Sequence, residues 1–313
     1  MRTAFIQELA ILARTHPRIF LLVGDLGYSV VEPFAQEFPD RYLNMGIAEQ
    51  NMTGVAAGLA SEGYHVFTYS IANFPTFRCA EQIRNDVVYH RLPVTIVSVG
   101  GGLAYGNLGY SHHAVQDIAL MRTFPGMTLA CPGDPVETRA CLRCLTARPV
   151  PSYLRLGKAG EPTVHAAKVD AVPGRILQTE TNGSAKPNAL LTTGATLRLA
   201  QELAASPDFS GSWGAFSLPI WNEGSKSEVQ EFVASHNHVV VLEDHLRAGG
   251  FGSFVQEALD ARPDLLARVR CVALDGRVCG HVASQSKLNE MGGVSFASVA
   301  AVLSELSQSR SKP

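Results

Sequence analysis

The sequence has no excess of charge of either sign. Its 26 Lys and Arg residues nearly balance its 28 Asp and Glu residues, and the formal net charge is -2. No concentrated charge is therefore available to attract a nucleic-acid backbone or an anionic membrane surface. We expect a small-molecule substrate or a protein partner, and neither nucleic acid nor a membrane.

Long apolar runs and abundant cysteines are also lacking. No stretch approaches the roughly 18 apolar residues of a membrane-spanning helix, and the N-terminal MRTAFIQELAILAR has the spacing of an amphipathic helix rather than a signal peptide. Six cysteines in 313 residues are few, as in cytosolic proteins with reduced thiols. Cys141 and Cys144 form a lone CxxC in a predicted helix, which we interpret as core packing. These features predict a cytoplasmic protein.

Short β-rich runs alternate with helical stretches, which is typical of a parallel sheet covered by helices on both faces. The alternation restarts after a segment with polar, Pro and Gly residues. We therefore predict an α/β fold of two doubly wound, mostly parallel-sheet domains: residues 1–165, a linker at 166–186, and residues 187–313. The predicted strands of the first domain are 18–25, 64–70, 92–102, 127–134 and 151–156.

One carboxylate interrupts a stretch that otherwise reads as a Gly- and Ala-rich buried helix. In NMGIAEQNMTGVAAGLASEG, Glu49 falls in the predicted first helical turn. There a carboxylate interacts favourably with the helix dipole, so in isolation Glu49 reads as a capping residue. The small residues would let this helix pack closely against its neighbours or a bound ligand.

Two further strings follow in order: YSIANFPTFRCAEQIRN and NLGYSHHAVQDIALMR. Together with GIAEQ, they resemble the thiamine diphosphate enzymes of the transketolase group. The resemblance covers almost the whole chain, but it extends only to the C-terminal half of a transketolase. That half comprises the pyrimidine-binding domain and a smaller C-terminal domain, to which VVVLEDHLRAGGFGSFVQEAL is similar.

The resemblance gives Glu49 a catalytic role. In this group the Glu of the GIAEQ-like motif hydrogen-bonds a ring nitrogen of the cofactor pyrimidine. A shared proton there favours the imino form of the neighbouring amine, which is basic enough to take a proton from the thiazolium carbon. Asp would be too short and Gln could not relay a proton.

The same resemblance implies an aromatic ring and a histidine in the site. Phe74 and Phe77 are the candidates for stacking on the pyrimidine, and we favour Phe74 for its spacing to Arg78. His112 takes the position of the family's active-site histidine, which positions substrate and handles protons on its oxygens. His113 is expected to pack or cap.

Several substrate positions depart from the family pattern. The acid expected four residues before His112 is Leu108, and a substrate-facing histidine expected further upstream falls at Gly100. These changes leave room for an unusual sugar. Arg2 and Arg155 resemble the family's phosphate-binding pair. Arginine suits this role because a guanidinium can donate two parallel hydrogen bonds to phosphate. Each could equally be a surface arginine.

The largest departure is an absence. The GDG motif that holds the cofactor diphosphate and Mg²⁺ in this family, followed some 30 residues later by Asn, does not occur. We therefore expect thiamine diphosphate to bind between this chain and an N-terminal-half partner of ~250–290 residues that carries the Mg²⁺, most simply as an α2β2 assembly. Glu243, Asp244 and His245 resemble a catalytic cluster, but the domain that contains them is mainly structural in the family.

These features favour one subunit of a two-component transketolase-like enzyme that transfers a two-carbon ketol unit from a ketose or ketose phosphate to an aldehyde. An alternative is a subunit of a decarboxylating enzyme, either the β-type subunit of a 2-oxo-acid dehydrogenase or a ligase similar to deoxyxylulose-phosphate synthase. A third possibility is a non-catalytic scaffold subunit, against which the joint retention of Glu49, an aromatic candidate and His112 argues.

Overall fold

The computed structural model describes residues 1–179 and 185–308. Up to residue 156, strands and helices alternate along the chain. The strands are β1 (Ile19–Val23), β2 (Tyr42–Asn44), β3 (His65–Ile71), β4 (Val94–Val99), β5 (Thr128–Ala130) and β6 (Ser152–Leu156). The helices are α1 (Arg2–Thr15), α2 (Glu32–Glu37), α3 (Glu49–Ser61), α4 (Ala80–Gln82), α5 (Asp117–Arg122) and α6 (Pro135–Ala147), and a π-helical segment, Ile83–Val88, continues α4.

The alternation resumes in the second half. Its strands are β7 (Leu177–Gln178), β8 (Asn188–Thr192), β9 (Trp213–Ser217), β10 (Ile220–Trp221), β11 (His238–Leu246) and β12 (Val269–Leu274). Its helices are α7 (Leu197–Ala205), α8 (Lys226–Ala234), α9 (Phe251–Ala258), α10 (Pro263–Leu266), α11 (Gln285–Met291) and α12 (Phe296–Gln308).

Two sheets result. Within the described ranges, the first has seven strands in the order β10-β5-β6-β4-β3-β1-β2, and the second has five in the order β12-β11-β8-β9-β7. Only β10 and β7 pair antiparallel with their neighbours. Every residue of β4 and of β6 is buried, as expected of parallel strands covered on both faces.

The predicted α/β architecture with two mostly parallel sheets is confirmed. The predicted domain boundaries remain a prediction, and two short strands bear on them. β10 lies in the later half of the chain but pairs with β5 in the first sheet, and β7 lies within the predicted linker but pairs with β9 in the second sheet. The short strand β2 was not predicted, because three residues carry too little periodicity.

Helix α3 packs against the first sheet through one face only. Met52, Ala56 and Ala60 are buried in the core, whereas Gly54 and Gly58 are exposed, and a Cβ on either would meet nothing within 4 Å among the described residues. The prediction of close packing therefore holds for the alanines and fails, within this chain, for these two glycines.

In the described ranges, no helix combines the length and apolarity required to cross a bilayer. Nor do three or more His, Cys, Asp or Glu side chains of those ranges come together in a way that could hold a metal ion.

Candidate active site

The predicted site residues lie at the carboxyl ends of neighbouring strands in the first sheet. Phe74 follows β3, Gly100 follows β4, and His112 lies in the loop between β4 and α5. Glu49 begins α3, which leads into β3. In open parallel sheets this edge is where ligands bind, because the loops there converge without obstructing the sheet.

Glu49 is a buried carboxylate with one charged partner. Its side chain is 3% exposed, and its Oε2 accepts a hydrogen bond of 3.0 Å from Nη1 of Arg78. The position in the first turn of α3 also places the carboxylate near the partly positive end of the helix. Because the Arg78 side chain is 50% exposed, a ligand that replaced it would find a buried carboxylate as its partner.

The two phenylalanine candidates occupy different surroundings. Phe74 is half-buried, and its ring lies between the guanidinium of Arg78, 4.4 Å from the ring centroid, and the imidazole of His112, at a centroid distance of 5.3 Å. Phe77 is 45% exposed. The geometry favours Phe74 for the stacking role, because its ring contacts both the partner of Glu49 and the candidate histidine.

The two adjacent histidines also differ. His112 is partly exposed, and its Nδ1 lies 2.9 Å from the Ser111 hydroxyl. Burial, and to a lesser degree the neighbouring His113, lowers the pKa of His112, which favours the neutral imidazole. His113 is buried, and its Nε2 lies 3.3 Å from the carbonyl oxygen of Gly106, as a packing residue would.

Asn73, which the sequence did not single out, joins the two loops of the site. Its side-chain amide donates to the carbonyl oxygens of Ser111 at 3.1 Å and His113 at 3.0 Å. These bonds flank His112 and fix the Phe74 loop against it. Local sequence offers no signal for this role, because the two partners are 38 and 40 residues away.

Glu49, Arg78 and Phe74 provide a test of whether the site fits an aminopyrimidine. The guanidinium of Arg78 is planar, lies over the face of Phe74 and donates a hydrogen bond to Glu49. A planar heterocycle that carries a ring N–H would make the same two contacts. These residues therefore fit the pyrimidine. In this structure Arg78 makes the two contacts that are expected of the cofactor ring.

The structure leaves no space for a side chain at Gly100. A Cβ there would lie 2.2 Å from the ring of Tyr105, and Gly100 has a φ of +88°, which side chains with a Cβ rarely adopt. The aromatic ring of Tyr105 thus fills the volume that a residue at position 100 would take. The ring lies edge-on to His112 at a centroid distance of 6.4 Å.

The next two glycines allow similar close approaches. A Cβ at Gly101 would lie 2.8 Å from the guanidinium of Arg155, and one at Gly102 would lie 2.2 Å from the carboxylate of Asp244. The run GGG is therefore a structural requirement for packing Tyr105, Arg155 and Asp244 against one turn.

Arg155 does not lie where a phosphate could reach it. Its side chain is 2% exposed, and its guanidinium donates to Asp117 at 2.7 Å, to Asp244 at 2.6 Å and to the carbonyl oxygen of Ala114 at 2.9 Å. Burial alone would raise the pKa of Asp117, but the charge of Arg155 lowers it. Since two carboxylates already neutralise its charge, the structure contradicts a phosphate-binding role for Arg155 and makes it an ion-paired link between the two halves of the chain.

Arg2 remains available. It begins α1 and is half-buried, and its Nε is a buried donor that makes no hydrogen bond with any described residue. Leu108 ends a short 3-10 turn, Gly106–Leu108, and is 52% exposed. The structure therefore leaves both open to a ligand at the rim of the site.

The EDH cluster in the second half makes structural contacts. Both oxygens of Glu243 accept backbone N–H bonds, from Phe251 at 2.6 Å and Gly252 at 3.0 Å, at the start of α9. Asp244 pairs with Arg155, and His245 Nε2 accepts from the backbone N–H of Ala119 at 3.3 Å. These contacts agree with leaving the cluster out of the catalytic set.

Comparison with known proteins identifies the family to which this chain is similar. Residues 1–161 match the family model described as transketolase, pyrimidine binding domain. The chain is 32% identical over 264 residues to an apulose-4-phosphate transketolase subunit of Phocaeicola vulgatus, and the match covers 84% of each protein. It is 33% identical over 270 residues to a putative transketolase C-terminal section of Methanocaldococcus jannaschii, and that match covers 83% of this chain and 81% of that protein.

A solved structure agrees in fold along nearly the whole length. The protein described as a split gene transketolase, inactive beta4 tetramer, matches with a TM-score of 0.83 at 32% identity, and the match covers 97% of both chains. Relatives of greater length include 1-deoxy-D-xylulose-5-phosphate synthases. To that of Magnetococcus marinus the chain is 32% identical over 96% of its own length, but it covers 48% of that protein.

Two mostly parallel sheets with interleaved helices define an α/β protein, and a buried carboxylate and an aromatic ring lie at the carboxyl edge of its first sheet. The chain belongs to the transketolase family and corresponds to its pyrimidine-binding and C-terminal part. Family membership implies dependence on thiamine diphosphate.

Proposed function

We propose that this chain is the C-terminal subunit of a two-component transketolase that transfers a two-carbon ketol unit from a ketose or ketose phosphate to an aldehyde. The observation that carries the proposal is the arrangement of Glu49, Arg78 and Phe74. A planar cation already makes the stacking contact and the carboxylate hydrogen bond that an aminopyrimidine needs. Its relatives that are named as parts of transketolases support the same assignment.

Thiamine diphosphate, when bound, supplies a thiazolium carbon that acts as nucleophile and electron sink. The residues of this chain hold the pyrimidine and manage protons. Glu49 binds the ring nitrogen and shares its proton, and Phe74 stacks on the ring face. His112, 5.3 Å from Phe74 between ring centroids and with a lowered pKa, is poised as a neutral imidazole to exchange protons with substrate oxygens.

The diphosphate and Mg²⁺ belong, in this proposal, to an N-terminal-half partner subunit. A relative of similar length and fold is described as an inactive β4 tetramer, which supports the view that such chains need a partner for activity. The surface beside the site suits a protein contact, because Ile47 is 79% exposed and Leu43 is 46% exposed. The outer face of α3, with Gly54 and Gly58 open, allows another backbone to approach closely.

The experiment that tests the function mixes this chain with its N-terminal-half partner, thiamine diphosphate and Mg²⁺. Ketose phosphates, free ketoses and hydroxypyruvate are offered as ketol donors with an aldehyde acceptor, and pyruvate is offered in parallel. Transfer from a ketol donor, absent when either subunit is omitted, is the expected result.

If the complex turned over pyruvate and none of the ketol donors, the chain would belong to a decarboxylating enzyme that acts on a 2-oxo acid, and ketol transfer would be the wrong function. A stable complex that binds the cofactor but turns over none of these donors would favour a scaffold subunit.

A further inference from the structure

Tyr105 occupies a place in the site that no sequence motif assigns to it. Its ring lies where a side chain at position 100 would project, since a Cβ on Gly100 would be 2.2 Å from one ring carbon and 2.3 Å from another. Position 100 itself can present nothing to a ligand. The side chain that occupies this point of the site is therefore that of Tyr105.

Tyr105 packs against the hydrophobic core of the first sheet and also lies beside His112. The ring is half-buried and lies edge-on to His112 at a centroid distance of 6.4 Å, and the same imidazole lies 5.3 Å from the ring centroid of Phe74. The charge of Arg2 acts on the phenol group, so the side chain of Tyr105 lies near that arginine as well as beside His112.

The phenol group has an unused hydrogen-bonding capacity. Among the described residues Tyr105 makes no side-chain hydrogen bond, whereas the hydroxyl of Tyr110, on the same loop, donates to Gln116 at 3.0 Å. Burial raises the pKa of Tyr105, so the hydroxyl is protonated at neutral pH and can donate. A partly buried donor without a partner in its own chain is available to a ligand oxygen.

We propose that Tyr105 is a substrate-binding residue that determines donor specificity. Its ring closes the site above Gly100, and its hydroxyl donates a hydrogen bond to an oxygen of the donor beyond the transferred two-carbon unit. The inference rests on the proposed function and adds to it a preference for donors with a hydroxyl between the reacting carbonyl and the group near Arg2.

The test compares Tyr105→Phe, Tyr105→Ala and the control Tyr110→Phe in the complex with the partner, thiamine diphosphate and Mg²⁺. Fructose 6-phosphate serves as the long donor, and hydroxypyruvate as a short donor that loses CO2 and carries no hydroxyl beyond the transferred two-carbon unit. For Tyr105→Phe we expect kcat/KM to fall about three- to tenfold with fructose 6-phosphate, mainly through KM, because one neutral hydrogen bond is lost. With hydroxypyruvate the change should stay below about twofold, and Tyr110→Phe should match the wild type with both donors.

A second readout separates binding from structure. Tyr105→Phe should leave the unfolding temperature of the chain unchanged, because its hydroxyl has no partner in the described chain, while calorimetry shows weaker fructose 6-phosphate binding to the complex. Equal losses with both donors and a lower unfolding temperature would make Tyr105 a packing residue and overturn the inference. Wild-type kinetics in Tyr105→Phe with both donors would overturn it too, and leave the transketolase function intact. A wild-type complex that transfers from neither donor would overturn the proposed function itself.

Discussion

Arg78 donates a hydrogen bond of 3.0 Å to the buried carboxylate of Glu49. The same guanidinium lies 4.4 Å from the centroid of the Phe74 ring. One planar cation therefore makes both contacts that the proposed function assigns to the cofactor pyrimidine. Binding must exchange one partner of Glu49 for the other, and this exchange can be measured.

Removing Arg78 should leave thiamine diphosphate binding to the reconstituted complex unimpaired or tighten it, since the competing occupant is gone. Arg78→Ala is compared by Mg²⁺-dependent calorimetry with the wild type and with Arg84→Ala. Arg84 is an exposed arginine whose side chain donates to its neighbour Asn85. If the dissociation constant of Arg78→Ala rises more than about tenfold while that of Arg84→Ala does not, Arg78 holds the cofactor directly.

Glu49→Gln should preserve the fold and remove most turnover. Gln has nearly the same shape as Glu and can still contact Arg78, but it cannot relay a proton to the pyrimidine ring. We expect kcat of the reconstituted complex to fall by at least a hundredfold, with an unchanged circular dichroism spectrum. A loss smaller than about tenfold is below the usual contribution of a general acid or base and would exclude Glu49 as the activating group.

The resemblance of three motifs to the transketolase group predicts Glu49, Phe74 and His112 as site residues, and the structure brings Phe74 against His112 and, through Arg78, beside Glu49. Spacing could not predict that Arg155 is buried between two carboxylates, because Asp244 is 89 residues away along the chain. Nor could it predict that Tyr105 fills the volume beside Gly100, since a missing side chain in the sequence does not indicate which neighbour takes its volume. Local motifs identify chemistry, whereas tertiary packing decides access.

His112→Ala should lower kcat more than it weakens cofactor binding, because the imidazole lies at the edge of Phe74 and makes no contact with Glu49. The lowered pKa of His112 keeps the imidazole neutral below its ordinary value of about 6.5. If the neutral imidazole is required, kcat/KM of the wild type should decrease with falling pH only below about pH 6.5. This acid limb of the pH profile should be absent in His112→Ala.

The lowered pKa of His112 also makes the stability of the fold depend on pH. Because the folded-state pKa of His112 lies below that of the unfolded chain, lowering the pH from above the unfolded-state pKa to below the folded-state pKa protonates the unfolded chain first. This protonation lowers the stability of the fold.

His113→Ala is the matched variant for the kinetics: it removes a buried packing ring and should lower the unfolding temperature, with kcat retained. If His112→Ala raised the dissociation constant of the cofactor and left kcat unchanged, His112 would hold the cofactor rather than act on the substrate.

Leu108→Asp tests the missing acid of the family pattern. Leu108 is 52% exposed at the rim of the site, so the carboxylate can be introduced without burying a charge. A charged hydrogen bond to a donor hydroxyl contributes about 1.5–3 kcal/mol, so kcat/KM with common ketose phosphates should rise roughly ten- to a hundredfold. A fall with every donor would instead show that Leu108 lines an apolar part of the substrate site. Activity with hydroxypyruvate, measured beside each ketose phosphate, separates donor binding from damage to the site.

Cofactor binding should depend on assembly, because this chain offers stacking and one carboxylate hydrogen bond to the pyrimidine but, among its described residues, no cluster for a metal ion. Calorimetry should show negligible thiamine diphosphate binding to the isolated chain and clear Mg²⁺-dependent binding once the N-terminal-half partner is added. Analytical ultracentrifugation should give two copies of each chain, since a closed two-fold assembly is the simplest that pairs each half-site with a partner. Ile47→Asp, which places a charge on a side chain that is 79% exposed beside Glu49, should weaken the complex without unfolding the chain. Strong Mg²⁺-dependent binding by the isolated chain would mean that the diphosphate site is complete without a partner, and the two-component function would then be wrong.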